Sequence, residues 1–129
     1  MTVHVEVENR SAHTIDEPAA AAAVAATLRA EGVTAGEVGV VLVEPGEMAA
    51  LNAAHRGKDG PTDVLSFPVD EGDVPVGPRE LGDVVICPEH TEDLIEAVVH
   101  GVLHLTGMDH ETDEGEMLAL QAELLGWVR

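Results

Sequence analysis

Hydrophobic and polar positions change period several times along the chain, and each change marks an element. From Thr2 to Glu8 they alternate strictly, Val3, Val5 and Val7 against His4, Glu6 and Glu8, which is the period of a half-buried strand. Asp16, Glu17 and Pro18 then supply a capping side chain, a negative charge at the helix dipole and a first-turn proline. They predict a helix that runs to Glu31 and stops at Gly32. Its alanine-rich sequence, with Val24 and Leu28 one turn apart, suits close packing on a sheet. Glu37 to Glu44 is an almost unbroken apolar run, as in a strand covered on both faces, and Pro45-Gly46 ends it. Glu47 to His55 follows as a short helix with Met48 and Leu51 toward the core and Gly57 as its stop.

A strand from Val64 to Pro68 comes next. Between Val69 and Arg79 the composition turns to Asp, Glu, Gly and Pro, which predicts an exposed, mobile loop. Leu81 to Cys87 forms another strand. Thr91 to Thr106 carries the widest apolar stripe of the chain, made by Leu94, Ile95, Val98, Val99, Val102 and Leu103. A last helix from about Asp113 to Leu125 turns Met117, Leu118, Leu120, Leu124 and Leu125 inward. Four strands and four to five helices in irregular order predict an α+β fold, one mixed four-stranded sheet packed with helices, in a single domain spanning 1–129. Strand order does not follow from the pattern.

Composition narrows the class of function. Aromatic residues make up only 2% of a chain that is 45% hydrophobic, so the core is built of Val, Leu, Ile and Ala. Six Lys and Arg stand against 25 Asp and Glu, a formal charge of −19, which argues against a broad electrostatic grip on nucleic acid or an anionic membrane. The single cysteine, Cys87, excludes an intramolecular disulfide and reads as a packed thiol in a reducing compartment. Neither a signal-peptide core nor an apolar run of membrane-spanning length is present, so a cytoplasmic location with no membrane partner is expected.

The chemistry lies in His100-Gly101-Val102-Leu103-His104-Leu105-Thr106-Gly107-Met108-Asp109-His110. On a helix His100 and His104 share one face a turn apart, close enough for both imidazoles to reach one cation. Gly107 stands where a left-handed turn ends the helix, and that turn would bring His110 back as a third ligand. Three imidazoles suit Zn²⁺ or a similar divalent transition metal, and three protein ligands rather than four leave a position open for catalysis. Such a site points to hydrolysis. The H-x-x-x-H-x-x-G-x-x-H spacing is also that of metzincin peptidases, but those place a glutamate base directly after the first histidine, where this chain has Gly101. A zinc metallopeptidase is therefore the lesser alternative. An interaction protein with a structural metal is the other.

These residues, taken with Leu51-Asn52-x-x-x-Arg56-Gly57-Lys58-Asp59-x-Pro61-Thr62-Asp63-Val64-Leu65-Ser66-Phe67-Pro68 and Leu81-Gly82-Asp83-Val84-Val85-Ile86, resemble the YbeY family. The likeness runs in order from about Leu51 to Leu125. It implies a metal-dependent endoribonuclease that acts on single-stranded RNA, matures the 3′ end of small-subunit rRNA and takes part in ribosome quality control. Carried over by position, the metal ligands fall on His100, His104 and His110. Arg56 and His100 are the residues expected to carry catalysis. A guanidinium at Arg56 can hold two oxygens of a phosphodiester as charge develops on it.

Around that core the expectations are weaker chemistry. Lys58 adds a point charge, Ser66 is a candidate phosphate contact, and Asp63 and Asp109 either orient ligand imidazoles or cap turns. Arg79 is expected at the rim of the same cleft, so that a small positive pocket interrupts an acidic body. Two features depart from the family. The segment between Cys87 and the histidines is short, and Gln121 stands where glutamate is common, a change expected to leave the metal site alone.

Overall fold

The structure, a computed structural model, describes residues 2–69, 80–108 and 113–128. Strand β1 (Thr2–Asn9) leads to helix α1 (Glu17–Ala30), strand β2 (Ala35–Leu42) and helix α2 (Pro45–Arg56). Strands β3 (Val64–Pro68) and β4 (Glu80–Ile86), a short 3-10 turn (Pro88–His90), and helices α3 (Leu94–Leu105) and α4 (Glu116–Val128) follow. The α+β expectation, four helices with one mixed four-stranded sheet, holds. The loop expected over Val69 to Arg79 falls almost wholly outside the described residues, and Arg79 with it.

The sheet order is β1-β2-β4-β3. β1, β2 and β4 run parallel, with Val5 beside Val38 and Val40 beside Val84. β3 is antiparallel to β4 and forms the edge, Leu65 opposite Val85 and Ser66 opposite Val84. Alternation along β4 divides the core. Val84 and Ile86 pack with Val38, Val40 and Leu42 beneath α1, α3 and α4. Val85 and Cys87 point the other way and pack with Leu65, Val43 and Met48, the last from α2. Three helices thus cover one face, and α2 covers part of the other.

Local chemistry explains the boundaries that differ from the sequence expectation. β2 begins at Ala35 because β1 pairs with it from there, and it ends at Leu42 because Glu44 is already the cap of α2, with Pro45 in its first turn. α3 starts at Leu94 and not at Thr91: the Asp93 carboxylate accepts from Glu96 N at 3.1 Å, and Pro88–His90 is taken up by its own turn. α4 starts at Glu116, three residues later than expected, because Gly115 adopts a positive φ of 102° just before it. Within α4, Met117 and Leu124 are buried, but Leu118, expected in the core, is exposed.

α1 is as predicted, capped by Asp16 Oδ1 on Ala19 N at 3.0 Å. Cys87 is fully buried, and burial pushes its thiol pKa up, as a packed thiol requires. No helix among the described residues is long and apolar enough to cross a membrane.

Candidate active site at the sheet edge

α3 reaches its place because glycine lets it. A Cβ at Gly101 would lie 2.3 Å from Val84 Cγ1, so the helix rests on β4 at a distance no other residue allows. From the neighbouring strand the Ser66 hydroxyl donates to Gly101 O at 2.8 Å, fastening α3 to the sheet edge. Position 101 therefore faces the sheet. A glutamate there would collide with Val84 instead of serving the cleft, so the sequence argument against a peptidase base gains a steric cause.

With the helix so placed, His100 and His104 stand one turn apart with Nε2 atoms 3.2 Å from each other. Their rings meet edge to face, centroids 4.8 Å apart. Each ring is oriented through its other nitrogen. His100 Nδ1 lies 2.7 Å from Gln121 Oε1 of α4, and His104 Nδ1 lies 2.9 Å from the carbonyl of Met108. That carbonyl comes back to the ring because Gly107 takes φ 102° and the chain closes with Gly107 N on His104 O and Met108 N on Leu103 O. The glycine turn inferred from the sequence is present and serves His104 directly. His110 and Asp109 lie outside the described residues.

The facing wall comes from the other side of the sheet. α2 ends at Arg56, and Gly57 at φ 67° caps it, its N–H bonding Ala53 O and Asn52 O. Because the backbone satisfies these carbonyls, the Arg56 side chain is not needed as a helix cap. Asn52, 4% exposed, donates from Nδ2 to Gly60 O at 2.9 Å and so ties the loop after α2 to the helix. His55 stacks obliquely on Phe67, centroids 4.3 Å apart.

The two walls enclose an open cleft of about 680 Å³ along the free edge of β3. His55, Arg56, Lys58, Ser66, His100 and His104 all line it, so it unites the two motifs that lie more than thirty positions apart in sequence. Arg56 and Lys58 are both exposed, and among the described residues no carboxylate pairs with either, whereas Arg10 is held by Glu8 and Glu47. A second cleft of about 530 Å³ lies across His100, lined by Glu92, Asp93 and Glu96. Asp63 borders both. The histidine pair therefore stands between a cationic and an acidic hollow.

Asp63 behaves as a turn residue. Its carboxylate accepts from Val64 N at 2.8 Å and Thr62 Oγ1 at 3.3 Å, while Gln121 and Met108 occupy the imidazole nitrogens it was a candidate to orient. Ser66 gives its hydrogen to Gly101, so only its oxygen lone pairs face the cleft. Gln121, the departure expected to leave the metal site alone, lies 2.7 Å from His100 Nδ1. A signal for it existed, because Gln121 interrupts the inward stripe between Met117 and Leu124 at helical spacing.

Among the described residues no group of three metal ligands is formed, and His100 and His104 would supply two nitrogens to a tetrahedral metal. With hydrogen on both Nδ1 atoms, facing carbonyl-type oxygens, both Nε2 atoms would present lone pairs to such an ion. Two Zn–N bonds of about 2.0–2.1 Å at a tetrahedral angle separate such nitrogens by about 3.4 Å, close to the spacing found.

The fold and the cleft together define a class: a small α+β enzyme domain with imidazoles and a guanidinium gathered on one edge, equipped for an anionic substrate. The chain belongs to the endoribonuclease YbeY family, whose model matches residues 4–128. It is 42% identical to the endoribonuclease YbeY of Salinispora tropica, over 94% of this chain and 93% of that one. It is 50% identical to that of Rubrobacter xylanophilus, over 73% and 69%. In three dimensions it matches the solution structure of TM1509 from Thermotoga maritima with TM-score 0.56 and 26% identity, covering 98% of this chain and 89% of the other. The Salinispora alignment runs to 146 positions against 129 residues here, so that relative holds residues this chain lacks. Nothing in these relatives' names supports a peptidase or a purely structural role.

Proposed function

We propose that this chain is a zinc-dependent endoribonuclease of single-stranded RNA, working in the cytoplasm on the 3′ end of small-subunit rRNA and in ribosome quality control. Its 129 residues form one catalytic domain. The observation that carries this reading is the convergence of His100 and His104 Nε2 at 3.2 Å on the same cleft as Arg56. Family membership supports the RNA substrate, and the substrate's place on the ribosome follows from the resemblance of the motifs.

His100, His104 and His110 would hold the metal. When bound, zinc would supply a Lewis acid that activates water or the RNA's own 2′-hydroxyl for attack on the phosphodiester. The chain's own residues do the rest. Gln121 and the Met108 carbonyl orient the two imidazoles with their Nε2 atoms turned toward each other. Arg56, at the end of a rigid helix, binds two oxygens of the scissile phosphate in a planar fork and stabilises the charge that grows there. Lys58, one residue past the Gly57 turn, draws the flanking phosphate as a point charge. Ser66 Oγ accepts rather than donates at the cleft floor. The acidic second hollow repels the backbone, so the RNA is confined to the Arg56 side of the histidines.

The test is direct. Purified protein and Arg56→Ala are given single-stranded RNA, duplex RNA and casein, with and without chelator. Chelator-sensitive cleavage of single-stranded RNA alone is expected. Cleavage that survives thorough chelation, or cleavage of casein, overturns the proposal.

A further inference from the structure

We infer that His55, leaning on Phe67 at the rim of the cleft, is a stacking platform for one base of the RNA and helps to select single strands. The inference deepens the function proposed above and rests on single-stranded RNA being the substrate. It is carried by the α2 wall of the cleft alone.

The chain has few rings, and their placement is informative. The sequence holds one Phe, one Trp and no Tyr, and among the described residues the buried core contains neither. Phe67 stands instead on the edge strand β3, half-buried, packed with Leu65 and Met48 on the side of the sheet that α2 covers. His55, in the last turn of α2, lays its ring against it with centroids 4.3 Å apart and planes tilted by 42°. Yet His55 is exposed and lines the cleft. An imidazole that served only to pack α2 on β3 would be covered by the contact. This one is propped by Phe67 and left open.

Its neighbours supply the second half of the argument. Arg56 follows His55 directly and Lys58 comes just after the Gly57 turn, both exposed on the same cleft. Cations for the backbone beside a ring for the bases is the combination that binds single-stranded nucleic acid. Base and phosphate are neighbours within a nucleotide, and here a ring and a guanidinium are consecutive at one helix end. Duplex RNA keeps its bases stacked on one another, whereas a single strand can splay a base onto the ring. The cations attract both forms, and the ring tells them apart. Stacking also holds RNA without net charge, which matters on a chain of charge −19.

Steady-state cleavage of a short single-stranded RNA by the purified protein, His55→Ala and His55→Phe tests this. His55→Ala is expected to raise KM about 5–150-fold with kcat little changed, the mark of lost uniform binding. His55→Phe keeps a ring and carries no charge, and is expected to hold KM within about threefold of the parent. A series of the same RNA with one base at a time removed, sugar and phosphate kept, gives a readout that a packing role would not move. At one position, base removal is expected to raise KM for the parent and to change nothing for His55→Ala. A duplex competitor is expected to inhibit both proteins equally. Melting temperatures are expected to stay unchanged because position 55 is exposed. Should His55→Ala melt lower, His55→Leu, which keeps bulk without a ring, takes its place in every comparison. A KM for the ringless variant within about twofold of the parent, equal losses in it and in His55→Phe, unequal inhibition by duplex, or base removal that costs both proteins alike overturns the inference. A parent that cuts no single-stranded RNA overturns the proposed function and the platform together, a result distinguishable from all of these.

Discussion

Arg56 and Gly101 show how differently single residues can be read from sequence. Arg56 was singled out from its motif as a phosphate ligand, a role that stays a proposal, and it stands exposed at a helix end that Gly57 caps. Replacing it with alanine is expected to lower kcat by about 10²–10³-fold with zinc content and melting temperature unchanged, as steady-state kinetics, metal analysis and thermal denaturation would show. Lysine should restore only part, because it lacks the planar fork. Gly101 was legible only as the absence of a glutamate. Its physical cause, the 2.3 Å approach to Val84, belongs to a packing contact that no local pattern announces. Gly101→Ala should cost about 1–3 kcal/mol in urea denaturation, since α3 must lift from β4. His110 was read as a ligand and stays a proposal, as its residue lies outside those described.

At the level of elements, every strand and α-helix of the described residues was visible in the periodicity, and apart from the exposed Leu118 and the Pro88–His90 turn the errors fell at ends. The start of α3 was misplaced because Thr91 and Asp93 are both credible caps, and only the Pro88–His90 turn decides between them. The order β1-β2-β4-β3 was invisible because parallel pairing is set by contacts remote in sequence. Yet that order is what puts β3 on the rim. The turn after α3 joins element to site: Gly107 at φ 102° delivers the Met108 carbonyl to His104. Gly107→Ala is expected to cost about 1–2 kcal/mol of stability, measured by denaturant unfolding of metal-free protein, and to weaken zinc binding in the same preparation.

For the whole molecule, a charge of −19 is an obstacle to RNA that the cleft answers locally, with Arg56 and Lys58 on one side of the histidines and Glu92, Asp93 and Glu96 on the other. If two cations neutralise two phosphates of a single strand, the slope of log affinity against log salt is about −1.4. A rise from 50 to 200 mM salt then weakens RNA binding about sevenfold, and Lys58→Ala should halve the slope to about −0.7. Fluorescence anisotropy with a labelled oligonucleotide would measure both. Buried Cys87 offers a second whole-molecule probe. With its thiol pKa pushed up by burial, alkylation at pH 8 should be far slower than for a free cysteine and recover only in denaturant.

The cleft straddles a sheet edge. Arg56 belongs to the helix on one face, His100 and His104 to a helix on the other, and they meet only around the rim of β3. On the proposed assignment neither half cuts RNA by itself, and catalytic competence is expected only when both layers have docked. A chain still being synthesised, or one whose α2 has come loose, is then expected to leave RNA intact, which would make turnover a gauge of complete folding.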